Sequence, residues 1–151
     1  MSKNTYFAEI IESSLDHYTA QCWQWDNYPL FGSLVQVQDA EKIIFGIISH
    51  IQTGSIDPTR SPYPYQKTEA ELRAEQPQIF EFLKTTFSVQ IVGYAHTNNP
   101  NKIFYILPPT PCKIHSFVAP STHAESVRFF TCPDFLHLLF AFYQNIPNLD
   151  E

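Results

Sequence analysis

Apolar and polar residues alternate along several short stretches, and the period of two predicts strands. Residues 4–12 (NTYFAEIIE) and 18–26 (YTAQCWQWD) form the first pair. The second of them sets Tyr18, Ala20 and Cys22 against Thr19 and Gln21, and SSLDH between them is a turn. In residues 33–38, Leu34, Val35 and Val37 stand against Gln36 and Gln38. Asp39-Ala40-Glu41 then turns the chain into a long β-branched strand over 42–53 (KIIFGIISHIQT), which makes this pair the strongest hairpin signal. Gly46 inside it predicts a bulge or a close backbone approach. Further strands are predicted over 88–96 (SVQIVGYAH), 102–107 (KIFYIL) and 113–119 (KIHSFVA), with a turn at Asn98-Asn99-Pro100-Asn101.

Helical signals are fewer. Thr68 with Glu71 three residues on has the capping-box pattern and predicts a helix over 69–75. Pro77 then opens a continuation through QIFEFLKTTF, where Ile79, Phe80, Leu83 and Phe87 sit at helical spacing. Residues 123–130 predict a short helical turn, and Pro133 starts a last helix running to about Gln144. Residues 54–66 (GSIDPTRSPYPYQ), with three prolines and no period, are a long irregular loop.

These elements predict a mainly β fold with helices. It is a small six-stranded antiparallel, Greek-key barrel with an inserted helix and a C-terminal helix, because small antiparallel sheets remove their edges by closing. The barrel occupies residues 1–120 with an inserted helical segment at 68–87. A helical extension over 121–151 packs on it.

Composition narrows the class. Charged residues make up 16% of the chain, below the roughly 25% of ordinary soluble domains, and aromatics make up 15%. Contiguous exposed apolar or aromatic surface is often an interaction site. The net charge is −6 and no two basic residues are adjacent, which argues against direct binding to a phosphate backbone. Three cysteines without a CxxC spacing, and without a signal-peptide pattern, point to a reduced, cytoplasmic protein. No apolar run approaches the about 18 residues of a membrane span.

Three segments occur in order: EAELRAEQPQIFEFL (69–83), IVGY (91–94) and LPPTPCKIHSFV (107–118). Together they resemble the HAS-barrel domain of HerA-type ATPases and ATP synthases, and best match its small stand-alone members. The early hairpin FGSLVQVQDAEKIIFGIISHI is similar to the opening strands of such domains. The resemblance spans roughly residues 5–120. It implies a six-stranded barrel that serves as a non-catalytic collar beside a nucleotide-driven motor. This chain departs from the motor itself: it has no G-x-x-x-x-G-K-[ST] loop, and Gly32, Gly46, Gly54 and Gly93 are isolated. An ATPase would therefore be a separate partner chain, and the other candidate partner is a second copy of this one.

The candidate sites follow from residue chemistry. Cys112 and His115 are spaced C-x-x-H and could supply two metal ligands, with His50, His123 or Cys132 completing the set, or a thiol nucleophile. Against this, Cys112 reads as a small apolar residue at a strand start, and the prolines around it as a stiff crossover and not as a proline-rich docking peptide. Ser13, Ser14, Asp16 and His17 have hydrolase types but sit in a turn. Glu69, Glu71, Glu75 and Glu81 make a solvated acidic helix face. Tyr63 and Tyr65 among prolines offer rigid amphipathic contact area, or cover the barrel mouth. In the last helix Phe135, Leu138, Leu139 and Phe142 form one apolar face, and Leu136, Phe140 and Tyr143 another. The helix is expected to pack on the barrel and also to make an oligomeric contact, with Phe135, Leu138, Leu139 and Phe142 joining Tyr63 and Tyr65 as the candidate interaction surface. The expected function is an assembly or adaptor module, with no cofactor or metal. Its alternatives are a small cysteine/histidine enzyme or metal protein, and a barrel that binds a small ligand.

Overall fold

The computed structural model describes residues 5–144, and for residues 142–144 the backbone alone. Seven strands form one antiparallel sheet: β1 (Ala8–Ser13), β2 (His17–Cys22), β3 (Leu34–Gln38), β4 (Lys42–Ser55), β5 (Leu83–His96), β6 (Asn99–Phe104) and β7 (Phe117–Pro120). The spatial order is β2-β1-β7-β3-β4-β5-β6, and β2 also pairs with β5. Six strands therefore close a barrel in which β7 is inserted between β1 and β3, while β6 continues the sheet outside it.

Strand β5 makes both arrangements possible. One edge pairs with β4 along its whole length. The other pairs with β2 over Thr86–Gln90 and with β6 over Tyr94–His96. The barrel interior is filled by the inward residues of this alternation, among them Ile10, Tyr18, Val37, Ile44, Ile48, Phe87, Val89, Ile91 and Val118. A second core lies on the outer face of the β3-β4-β5-β6 leaf. There Leu34, Phe45, Ile47, Val92 and Ala95 surround the fully buried Phe129 of helix α2 (His123–Phe130), and Phe135 and Leu139 of helix α3 (Phe135–Gln144) pack alongside.

Gly46 behaves as its place in β4 predicts. The register shifts between Phe45 and Gly46, and the Val89 side chain of β5, with the Gln90 carbonyl behind it, lies too close for a side chain there. The proline strap after β6 crosses one end of the barrel. Leu107 and Cys112 pack into the inner core, the Ser13 hydroxyl donates to the Cys112 carbonyl at 2.6 Å, and Lys42 Nζ donates to Thr110 at 2.5 Å.

Several boundaries differ from expectation. Helix α1 (Glu69–Glu75) has the expected limits, but only a 3-10 turn follows, over Pro77–Phe82. The inserted helical segment thus ends at Phe82 and not at residue 87. Leu83–Phe87 is strand because the β-branched Thr85 and Thr86 gain ladder partners in β4, and Thr86 and Phe87 in β2 as well. The turn before β6 falls at residues 97–98, so the strand starts at Asn99, with Pro100 tolerated at the sheet's edge. Residues 113–116 form a turn in which His115 has φ 70°, leaving β7 only Phe117–Pro120. At Thr68 one half of the capping box forms, the bond from the Glu71 N–H. Both halves form at Thr122 and Glu125 of α2.

Candidate functional site

The loop after β4, helix α1 and the 3-10 turn stand outside the barrel, where one aromatic stack fixes them. Trp25, in the loop after β2, lies parallel to Phe80 at 5.6 Å. The Arg73 guanidinium lies beside both rings, 4.6 Å from the Phe80 centre and 5.9 Å from the Trp25 centre, and pairs with Glu69 at 2.8 Å and Asp26 at 3.3 Å. The buried Thr85 hydroxyl donates to the Trp25 carbonyl and meets Thr53 Oγ1 at 2.6 Å. Lys67 and Glu75 form a close ion pair that returns the loop to α1. Main-chain N–H of Ile56 donates to the Phe82 carbonyl at 2.7 Å.

Held in this way, the segment encloses an open apolar groove of about 470 Å³. Tyr63 and Tyr65 of the loop, Leu72 of α1, Ile79, Phe80 and Phe82 of the 3-10 turn and Leu83 of β5 line it. Tyr63 and Tyr65 pack edge to face at 5.1 Å. Tyr63 is 70% and Phe82 64% exposed, so the groove presents wide rings to solvent. Desolvating such surface is strongly favourable. A polar cleft adjoins it across Ser55, Asp57, Arg60, Ser61 and Pro62, and adds Gln52, Gly54, Lys84 and Thr86. The Asp57 carboxyl is held below its ordinary range by the Thr59 hydroxyl and N–H that donate to it.

The other candidates are taken apart by the fold. Cys112 is buried in the barrel core, and burial pushes its thiol up to about 12. His115 lies on the surface, with Nδ1 3.0 Å from Glu9. Two such residues share no ligand position, and a thiol of that pKa carries almost no thiolate at neutral pH. His50 and His123 are exposed on separate elements, and Cys132 is in the α2–α3 connection. Among the described residues no three His, Cys, Asp or Glu side chains gather around a metal position. Asp16 and His17 bond each other at 2.7 Å, while the Ser13 hydroxyl serves the strap. The acidic helix face is exposed, as expected.

In α3, Phe135 and Leu139, expected on an interaction surface, pack against the second core instead, because they cover Phe129; Leu136 and Leu138 are half-buried, and Phe140 is 58% exposed. The Phe142 and Tyr143 side chains lie outside the described residues. Sequence reasoning singled out Tyr63 and Tyr65, placed Phe80 on a helix packed against the body, where it does stack on Trp25 but from a 3-10 turn, and did not single out Phe82. The adjacent aromatics FEF in a segment that starts with proline were the available signal.

The chain matches no protein-family model and no curated protein.

No helix among the described residues is long and apolar enough to cross a membrane.

Proposed function

We propose that this chain is a non-catalytic assembly or adaptor module that uses its barrel as a rigid frame and the Tyr63–Phe82 groove as its contact surface. The single observation that carries the reading is the groove itself. It is apolar, aromatic, exposed, and braced by the Trp25–Phe80–Arg73 stack. Rigid aromatics lose little entropy on binding, which suits them to partner recognition. The filled barrel interior supports the same reading, since it places the available apolar surface outside and not in the lumen. The resemblance to HAS barrels names two partners, an ATPase ring or further copies of the chain. A contact between copies through α3 would use the exposed Phe140.

Replacing Phe82 with a photo-crosslinking benzoylphenylalanine in cells tests the reading. Crosslinks to a polypeptide, whether this chain or another, support it. Adducts with small molecules alone overturn it in favour of a ligand-binding barrel, a second reading favoured by the groove's volume. That volume lies within the roughly 300–1,000 Å³ of small-molecule sites.

A further inference from the structure

Strand β4 outruns its neighbour. It extends to Ser55, but β3 pairs with it only as far as Ile47. From His50 to Ser55 it is held by β5 on one side, and among the described residues no strand lies along the other. Proteins usually blunt such an edge with lysine, proline or inward charges. Strand β6, the other edge of the sheet, follows that rule with Pro100 and Lys102. The stretch His50-Ile51-Gln52-Thr53-Gly54-Ser55 has no proline and no Asp, Glu, Lys or Arg. Among the described residues, no strand pairs with the main-chain donors and acceptors on that side.

Two independent features meet this edge at its Ser55 end. One is the aromatic groove, which Ser55 helps to line. The other is charge. Gln52 and Gly54 stand opposite Thr86 and Lys84 on the ribbon, and the cleft there holds Lys84 and Arg60 against the single carboxylate of Asp57. Arg60 meets that carboxylate loosely, at 3.7 Å, and the Lys84 ammonium has no ion-pair or hydrogen-bond partner among the described residues. The cleft is thus a locally positive place on a chain of net charge −6.

We propose that an extended, acidic segment of a partner protein adds to the His50–Ser55 edge as a further strand. It seats one large apolar side chain in the groove and sets its carboxylates against Lys84 and Arg60. An extended segment is required because a helix bonds its own backbone groups and leaves a strand edge unsatisfied. The groove supplies the anchor, the edge supplies orientation and main-chain bonds, and the cations select the sign. The inference rests on the adaptor reading of the groove and adds the binding mode and the chemistry of the partner.

The test uses the full chain and a short acetylated peptide of alternating threonine and valine, with one phenylalanine followed by a pair of aspartates. Binding is followed by fluorescence anisotropy and by hydrogen exchange of the β4 amides. The same peptide N-methylated at alternate residues keeps its side chains and loses its strand donors, so the decisive change is made without touching the protein's fold. Saturable binding is expected, with slowed exchange between residues 50 and 55 and a loss of at least about tenfold on N-methylation, since main-chain bonds carry affinity in strand addition. Lys84→Glu should weaken the aspartate peptide and strengthen its lysine counterpart. Equal binding of the N-methylated peptide overturns strand addition but leaves the adaptor reading standing. Strand addition is overturned in the same way if no peptide binds while the chain self-associates through Tyr63 and Phe82. If no peptide binds and no polypeptide crosslinks at Phe82, both fail.

Discussion

Gly46 of β4 and Val89 of β5 press against each other inside the barrel. A β-carbon at Gly46 would overlap Val89 Cγ1 and lie 3.0 Å from the Gln90 carbonyl oxygen. The bulge at Phe45–Gly46 lets the two strands approach, and Val89 fills the space that a side chain would take. Gly46→Ala should therefore destabilise the protein by about 2–3 kcal/mol through overpacking, read as a lower urea midpoint at unchanged slope. The same substitution at Gly54, where a β-carbon meets nothing within 4 Å, should cost far less.

Tyr18 is fully buried in the same core, and its hydroxyl has no hydrogen-bond partner among the described residues. A buried hydroxyl without a partner lowers stability. Tyr18→Phe should raise it by about 1 kcal/mol, measured by thermal and urea unfolding. A loss of that size would show that the hydroxyl is satisfied in solution.

How far this fold could be read from the chain depended on where periodicity was unambiguous. Strands β3 and β4 alternate or run β-branched around a three-residue polar turn, and both were legible together with the bulge at Gly46. The closed antiparallel barrel followed from the number of such strands. Residues 83–87 were not legible, because Ile79, Phe80, Leu83 and Phe87 satisfy a helical period while Thr85, Phe87 and Val89 satisfy a strand period. Pairing with β4 and β2 decides between them, and those contacts are distant in sequence. The groove was half legible for the same reason. Tyr63 and Tyr65 announce themselves among prolines, whereas the half-buried Phe80 and the exposed Phe82 reach the groove only because the chain leaves the helical path at Phe82.

The buried thiols set an alkaline limit. Burial raises Cys22 to about 11 and Cys112 to about 12, from an ordinary 9.0. Above pH 9 the unfolded chain releases these protons and the folded chain keeps them. Stability is then fully present below pH 9 and falls as pH rises toward 11–12, at a slope of about 1.4 kcal/mol per pH unit for each thiol. Urea midpoints measured from pH 7 to 11 should show this decline, and Cys112→Ala should remove part of the slope. Without denaturant at pH 8, the half-buried Cys132 should react with a disulfide reagent well before the other two.

Phe129 joins α2 to the sheet. Its ring meets Phe45 at 5.4 Å, Tyr105 at 5.0 Å and Phe135 at 5.9 Å, and the Tyr105 hydroxyl donates to its carbonyl at 2.9 Å. Phe129→Ala should cost about 3–5 kcal/mol. The loss should appear first as faster hydrogen exchange in α2, α3 and β6, with the amides of β1 and β2 protected longest.

The divided edge of β5 gives the chain two layers that share a single spine. Ladder bonds to β2 stop at Gln90 and those to β6 start at Tyr94, so the outer layer can peel away while the inner cylinder keeps every one of its seams. A mutation, a protease or a competing chain acting on the helical flank would then produce a trimmed but still closed molecule.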